Sequence, residues 1–157
     1  MIEIYTDGAC SNNRVGEGLG AFAFIVLKDG EVKYRYSKAV KGTTNNKMEL
    51  IAVIYALRYL NERCSIPLGE QVKVYTDSAY VSNAINCKWL VSWRLNGWHK
   101  ADGEPVKNAE LWMKLVQLKK EIDFSIEHVK GHNGNKYNEE CDKMAVEAVK
   151  KIKESWN

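Results

Sequence analysis

Apolar and polar positions alternate from Ile2 to Asp7, with Ile2, Ile4 and Thr6 on one side and Glu3, Tyr5 and Asp7 on the other. This is the period of a strand. Gly8 follows, and its permissive backbone predicts a sharp turn that leaves the Asp7 carboxylate at the strand end. A turn-rich loop over residues 9–18 then leads to a nearly continuous apolar run, Gly20 to Leu27, closed by the hairpin signal Asp29-Gly30. Beyond it Val32, Tyr34 and Tyr36 alternate with Lys33, Arg35 and Ser37, a third strand with one wet face. These three strands form an antiparallel meander.

From Thr44 the period changes to that of a helix. Glu49, Ala52, Val53, Ala56, Leu57 and Leu60 fall on one stripe, headed by an acidic residue. Thr43, Thr44, Asn45 and Asn46 supply capping groups, and Asn46 with Glu49 has the spacing of a capping box. Pro67 and Gly69 mark a break, after which Val72-Lys73-Val74-Tyr75-Thr76-Asp77-Ser78 repeats the alternation and the Tyr-Thr-Asp ending of the first strand. A helical crossover between these two strands makes a right-handed parallel pair, with ligands expected beyond their carboxyl ends. A short helix carries Tyr80, Val81, Ala84 and Ile85. A longer one, residues 108–121, carries Leu111, Leu115 and Leu118. Ile122, Phe124 and Ile126 read as strand five, and a last helix from near Asn138 turns Cys141, Met144, Ala145, Ala148 and Ile152 to the sheet.

The 157 residues suit one domain with a proper core. Apolar content of 45% and charged content of 27% are those of a globular protein, and no apolar run approaches 18 residues. No leader precedes the first strand, so the expectation is a cytoplasmic protein without membrane contact. Cys10, Cys64, Cys87 and Cys141 lack a CxxC spacing and read as reduced, mostly buried thiols. The net charge of +3 is too small to argue for polyanion binding by itself.

Chemistry enters with four carboxylates. Asp7 and Asp77 end neighbouring strands, and Glu49 and Asp142 are expected in the first turns of the helices beside them. An aspartate ending a strand is often only a turn residue, and Asp142 could simply complement a helix dipole. Together, four converging anions would raise one another's pKa and lose hydration unless a cation intervenes. All-oxygen ligation selects Mg²⁺ or Mn²⁺, and two ions about 4 Å apart match four carboxylates, which points to phosphoryl hydrolysis. His132 sits on a polar, two-glycine loop before Asp142, where a histidine either shuttles protons and helps product release or is merely exposed.

These residues add up to a resemblance. Tyr5-Thr6-Asp7-Gly8-Ala9-Cys10, Thr43-Thr44-Asn45-Asn46-Lys47-Met48-Glu49-Leu50, Tyr75-Thr76-Asp77-Ser78, Val129-Lys130-Gly131-His132 and Asn138-Glu139-Glu140-Cys141-Asp142 resemble, in order, the motifs of type-one ribonuclease H. The resemblance implies an α/β ribonuclease H-like fold, a five-stranded mixed sheet of three antiparallel and two parallel strands flanked by helices. It further implies a single catalytic domain over residues 1–157. The implied activity is metal-dependent endonucleolytic cleavage of the RNA strand of RNA–DNA hybrids, leaving 5′-phosphate and 3′-hydroxyl ends. On that pattern Asp7, Glu49, Asp77 and Asp142 hold two Mg²⁺ ions, Mn²⁺ substitutes, and His132 assists turnover.

Residues 88–107 are basic and aromatic: Lys88, Arg94 and Lys100 are interleaved with Trp89, Trp93, Trp98 and His99, and no acidic residue lies between Asp77 and Asp102. That composition suits phosphate and base contacts, while tryptophans four apart also suit plain helix packing. The segment resembles the basic protrusion of bacterial-type members. Contacts to a 2′-hydroxyl are open to Asn13, Asn45, Asn46 and Glu49. Thr44 and Asn46 match family positions near the DNA-strand phosphate, and Cys10 and Asn138 sit in the matched motifs as further substrate contacts. Two departures bear on substrate: Ala79 stands where many bacterial members have glutamine, and residues 12–18 replace a glycine- and proline-rich loop. The expected partner is the hybrid duplex and the expected state a monomer. Another nuclease on the same fold, or a hybrid-binding module that no longer cleaves, is the competing reading.

Overall fold

A computed structural model of the chain describes residues 1–11, 18–130 and 135–155. Among them run the strands β1 (Ile2–Cys10), β2 (Gly18–Lys28), β3 (Glu31–Thr43), β4 (Val72–Thr76) and β5 (Phe124–His128). The helices are α1 (Asn45–Arg63), α2 (Ala79–Asn86), α3 (Trp89–Leu95), α4 (Ala109–Glu121) and α5 (Lys136–Glu154). The strands form one mixed sheet in the order β3-β2-β1-β4-β5, antiparallel from β3 to β1 and parallel from β1 to β5. The expected three-plus-two sheet is therefore present. Asp29 and Gly30 both adopt positive φ, 50° and 83°, the backbone that a two-residue hairpin turn of matching twist requires.

Both faces of the central strands are covered, which explains why β2 is buried from Gly18 to Leu27. On one face Ile4, Val74, Leu57, Leu60, Leu115 and Trp112 share a core under α1, α2 and α4. On the other, Tyr5, Ile25, Leu27, Cys141 and Ala145 pack under α5. The stripe predicted for α1 is buried throughout, as are Leu115 and Leu118 of α4. Trp112, which the leucine stripe passed over, is fully buried, while Leu111 is only partly so.

Several expectations are corrected. β1 does not turn at Gly8 but stays paired with β2 to the Cys10–Gly20 position. Gly8 is needed for another reason: a Cβ there would stand 2.4 Å from the Met48 carbonyl carbon and 2.5 Å from the Glu49 nitrogen. A side chain would thus hold α1 off the sheet. Ala9 and Cys10 belong to β1 rather than to a loop, and β3 runs on to Thr43. Only Cys141 of the four cysteines is buried, because Cys10, Cys64 and Cys87 lie at element ends. Among the described residues no helix is long and apolar enough to cross a membrane.

Candidate active site

The parallel ladder between β1 and β4 ends at Thr6–Thr76, while β1 stays paired with β2 beyond it. The chains of β1 and β4 part at that point, and Asp7 and Asp77 are the next residues on each. The N-terminal part of α1 and the side of α5 close the opening. Asp7, Gly8, Glu49, Asp77, Tyr80 and Asp142 are among the residues that line the resulting groove of about 460 Å³.

Glu49 is set by contacts that no helix-cap rule describes. Thr44 is the N-cap of α1, its side chain accepting from the Lys47 amide at 3.3 Å, so Glu49 lies in the second turn and the Asn46–Glu49 capping box is not formed. Instead the Gly8 amide donates to Glu49 Oε1 at 2.6 Å and to Asp7 Oδ1 at 2.9 Å. The Thr76 hydroxyl, fully buried, reaches Glu49 Oε2 at 3.5 Å and accepts from the Ser78 amide at 3.1 Å. Asp142 likewise stands in the second turn of its helix, because α5 starts at Lys136 under an Asn135 cap. The Cys141 thiol donates to the Tyr5 carbonyl at 3.4 Å and ties that turn to β1. His128 Nε2 lies 3.1 Å from the Asp77 carbonyl, so this histidine contacts the backbone beside the groove.

One oxygen from each of Asp7, Glu49 and Asp77 lies within 4.8 Å of the others. Asp7 and Glu49 are only 4% and 8% exposed. Burial, then the charges of Asp77 and Asp142, push Asp7 up to about 7 against the hydrogen bond from Gly8. Burial, then the charges of Asp7 and Asp77, hold Glu49 well above the usual carboxylate range. Among the described lining residues there is no cationic side chain to offset these anions. The donor set is entirely oxygen and strongly anionic, which fits hard divalent cations.

The other expected contacts divide. Asn45 and Asn46 are exposed on the groove wall, and Cys10 lines it while donating to the Thr43 carbonyl at 3.3 Å. Thr44 is occupied as a cap. Asn138 is 4% exposed and is not among the residues that line the groove; it is the buried residue of an otherwise accessible first turn of α5. Lys88, Trp89, Arg94 and Lys100 are exposed around α3, with Lys100 3.9 Å from Asp102, whereas Trp98 is half-buried against the core. Trp93 packs on the buried Trp112 at 5.6 Å and Trp112 on Tyr80 at 5.3 Å, so the tryptophan pair divides into a core anchor, Trp93, and an outward ring, Trp89. Asn13 and His132 lie outside the described residues. Sequence reasoning passed over the roles of Gly8, Thr76 and Tyr80, although the repeated Tyr-Thr-Asp triplet places Thr6 and Thr76 in register.

A family model described as RNase H matches residues 1–150. Ribonuclease H of Clostridium botulinum is 52% identical over 146 residues, covering 93% of each chain. Among solved structures, LC9-RNase H1, a type 1 RNase H with the type 2 active-site motif, matches with a TM-score of 0.79 and 28% identity, over 95% of this chain and 72% of its own. LC11-RNase H1, solved with an RNA/DNA hybrid, shares the fold with a TM-score of 0.70 and 24% identity, over 97% of this chain and 99% of its own. With its acidic groove in place and this likeness running over almost its whole length, the chain belongs to the ribonuclease H family.

Proposed function

We propose that the chain is a single-domain, monomeric, cytoplasmic endoribonuclease that hydrolyses the RNA strand of RNA–DNA hybrids, leaving 5′-phosphate and 3′-hydroxyl ends. The observation that carries this reading is the convergence of Asp7, Glu49 and Asp77 within 4.8 Å, with Asp142 on the same groove. These four carboxylates hold two Mg²⁺ ions, for which Mn²⁺ substitutes. Bound there, the metal supplies an activated water and charge stabilisation for the leaving oxygen.

The protein's own groups do the rest. The Gly8 amide and Thr76 hydroxyl aim Glu49, so its carboxylate is held before substrate arrives. Exposed Asn45 and Asn46 offer amide donors and acceptors to a 2′-hydroxyl, the group that distinguishes RNA from DNA. Lys88, Arg94 and Lys100 engage backbone phosphates, with Trp89 beside them as an apolar surface. His132 serves proton transfer and product release.

The test presents one RNA strand hybridised to DNA, paired with RNA, or single-stranded, each with Mg²⁺ or EDTA. Internal cuts confined to the hybrid with Mg²⁺ are expected. A hybrid that is bound but survives in both Mg²⁺ and Mn²⁺ would overturn the reading in favour of a binding module.

A further inference from the structure

A second cleft lies between the edge strand β3 and the C-terminal half of α1. Tyr34 and Tyr36, two apart on the strand, face Tyr55 and Tyr59, four apart on the helix, around a space of about 570 Å³. Tyr34 and Tyr59 stack at 4.0 Å with planes 6° apart, while Tyr55 stands 37% exposed with its ring edge-on to Phe22. Arg58, whose guanidinium is 5.9 Å from the Tyr55 ring centre, and Arg63 stand at the rim.

The chemistry of this cleft is one-sided. Among the described residues the hydroxyls of Tyr34, Tyr36 and Tyr55 make no hydrogen bond, and Arg63 makes no ion pair. The one acid in the lining, Glu62, is 3.8 Å from Arg58 and largely exposed. The cleft therefore offers donors, positive charge and aromatic surface, and asks for acceptors, negative charge and flat apolar faces. Arg58 has Glu62 beside it, so Arg63 is the guanidinium with no acidic partner among the described residues, next to three phenol hydroxyls that no protein group engages. The volume is that of a small-molecule site, which admits bases of one strand and not a duplex.

The position of the cleft links it to the catalytic groove. Arg58 and Arg63 are 9 and 14 residues beyond Glu49 on α1, or roughly 14 and 21 Å along its axis. Phe24, on the cleft floor, pairs with Thr6, the neighbour of Asp7. At ~3.4 Å per stacked nucleotide, a strand leaving the groove reaches the cleft within about four to six nucleotides.

We propose that this tyrosine cleft binds a single-stranded nucleic-acid extension of the hybrid, so that the preferred substrate is a hybrid bordered by unpaired strand. This rests on the hybrid-cleaving reading above and adds a second binding region to it. An aromatic-lined groove can also take a proline-rich peptide, but such a peptide brings no anion for Arg58 and Arg63.

The experiment compares a blunt hybrid with the same hybrid carrying a six-nucleotide DNA or RNA extension on each end in turn, bound in EDTA and read by fluorescence anisotropy. One polarity of extension is expected to tighten binding about five-fold or more, a gain typical of one or two stacked bases. The double variant Arg58→Gln/Arg63→Gln and the ring-conserving Tyr34→Phe/Tyr36→Phe should each reduce that gain while leaving blunt-hybrid affinity and cleavage unchanged. Equal affinity with every extension, an extension gain that survives both variants, or an equal loss on blunt hybrid would each overturn the proposal. A blunt hybrid left uncut in Mg²⁺ is a separate result and counts against the catalytic reading instead.

Discussion

The Gly8 amide donates to Glu49 Oε1 at 2.6 Å across 41 positions of sequence, joining the central strand to the helix that covers it. The approach is possible only because position 8 has no side chain. Gly8→Ala is expected to cost about 1–3 kcal/mol by forcing α1 outward. It should also weaken Mg²⁺ binding, since Glu49 moves with the helix. Denaturant titration and calorimetry of Mg²⁺ binding measure the two effects; unchanged values in both would remove the close approach as a determinant of the site.

Asp7→Asn is expected to abolish turnover while raising the stability of the metal-free protein. Asp7 titrates near 7 when folded, against an ordinary value of 3.8. Between those values the folded chain keeps a proton that the unfolded chain has released, so the wild type becomes less stable as pH rises through this window. The asparagine variant is spared this effect and should be more stable by roughly 2 to 4 kcal/mol above pH 7, with the difference vanishing near pH 4. Urea denaturation from pH 4 to 8 in EDTA checks the sign. A difference independent of pH would rule out carboxylate repulsion as the cause.

Millimolar Mg²⁺ should raise the wild-type melting temperature by about 3–8 °C, because a cation that binds only the folded groove relieves its anions. The shift should shrink in Asp7→Asn. Equal shifts in both proteins would place the ion elsewhere.

Thr76→Val keeps shape and removes a hydroxyl that serves both the Ser78 amide and Glu49. Leaving that buried amide without its partner should cost about 1–3 kcal/mol. The Mg²⁺ concentration for half-maximal activity should rise as Glu49 loses its second support. If stability falls but the Mg²⁺ dependence does not, Thr76 supports only the start of α2.

Neutralising Lys88, Arg94 and Lys100 together should raise KM and flatten its dependence on salt by roughly one unit of logarithmic slope for each phosphate that no longer meets a cation. Steady-state cleavage at several NaCl concentrations reads this directly. A slope equal to that of the wild type would leave the segment a packing element.

Much of this arrangement was legible in the sequence because it is written in periods. Alternation marked four of the strands and an unbroken apolar run marked β2, the stripe from Glu49 to Leu60 marked α1, and Asp29-Gly30 marked the hairpin. The converging carboxylates were legible because strand ends and helix starts fall on one side of a parallel pair. What could not be read depends on approach between distant elements. Gly8 signalled a turn on local grounds, yet its requirement comes from Met48 and Glu49. Trp112 lay next to the leucine stripe that drew attention, and Asn138 sat in a motif without any local sign that it would be buried. The tyrosine cleft joins strand and helix residues about twenty positions apart, and no spacing rule reaches that far.

The bond from Cys141 to the Tyr5 carbonyl closes 136 positions of chain, and it fixes the helical turn that holds Asp142. Contacts of such separation carry a large loop-closure entropy cost. A product truncated before α5 would keep Asp7, Glu49 and Asp77 but lose both the turn that carries Asp142 and the thiol that ties it to β1.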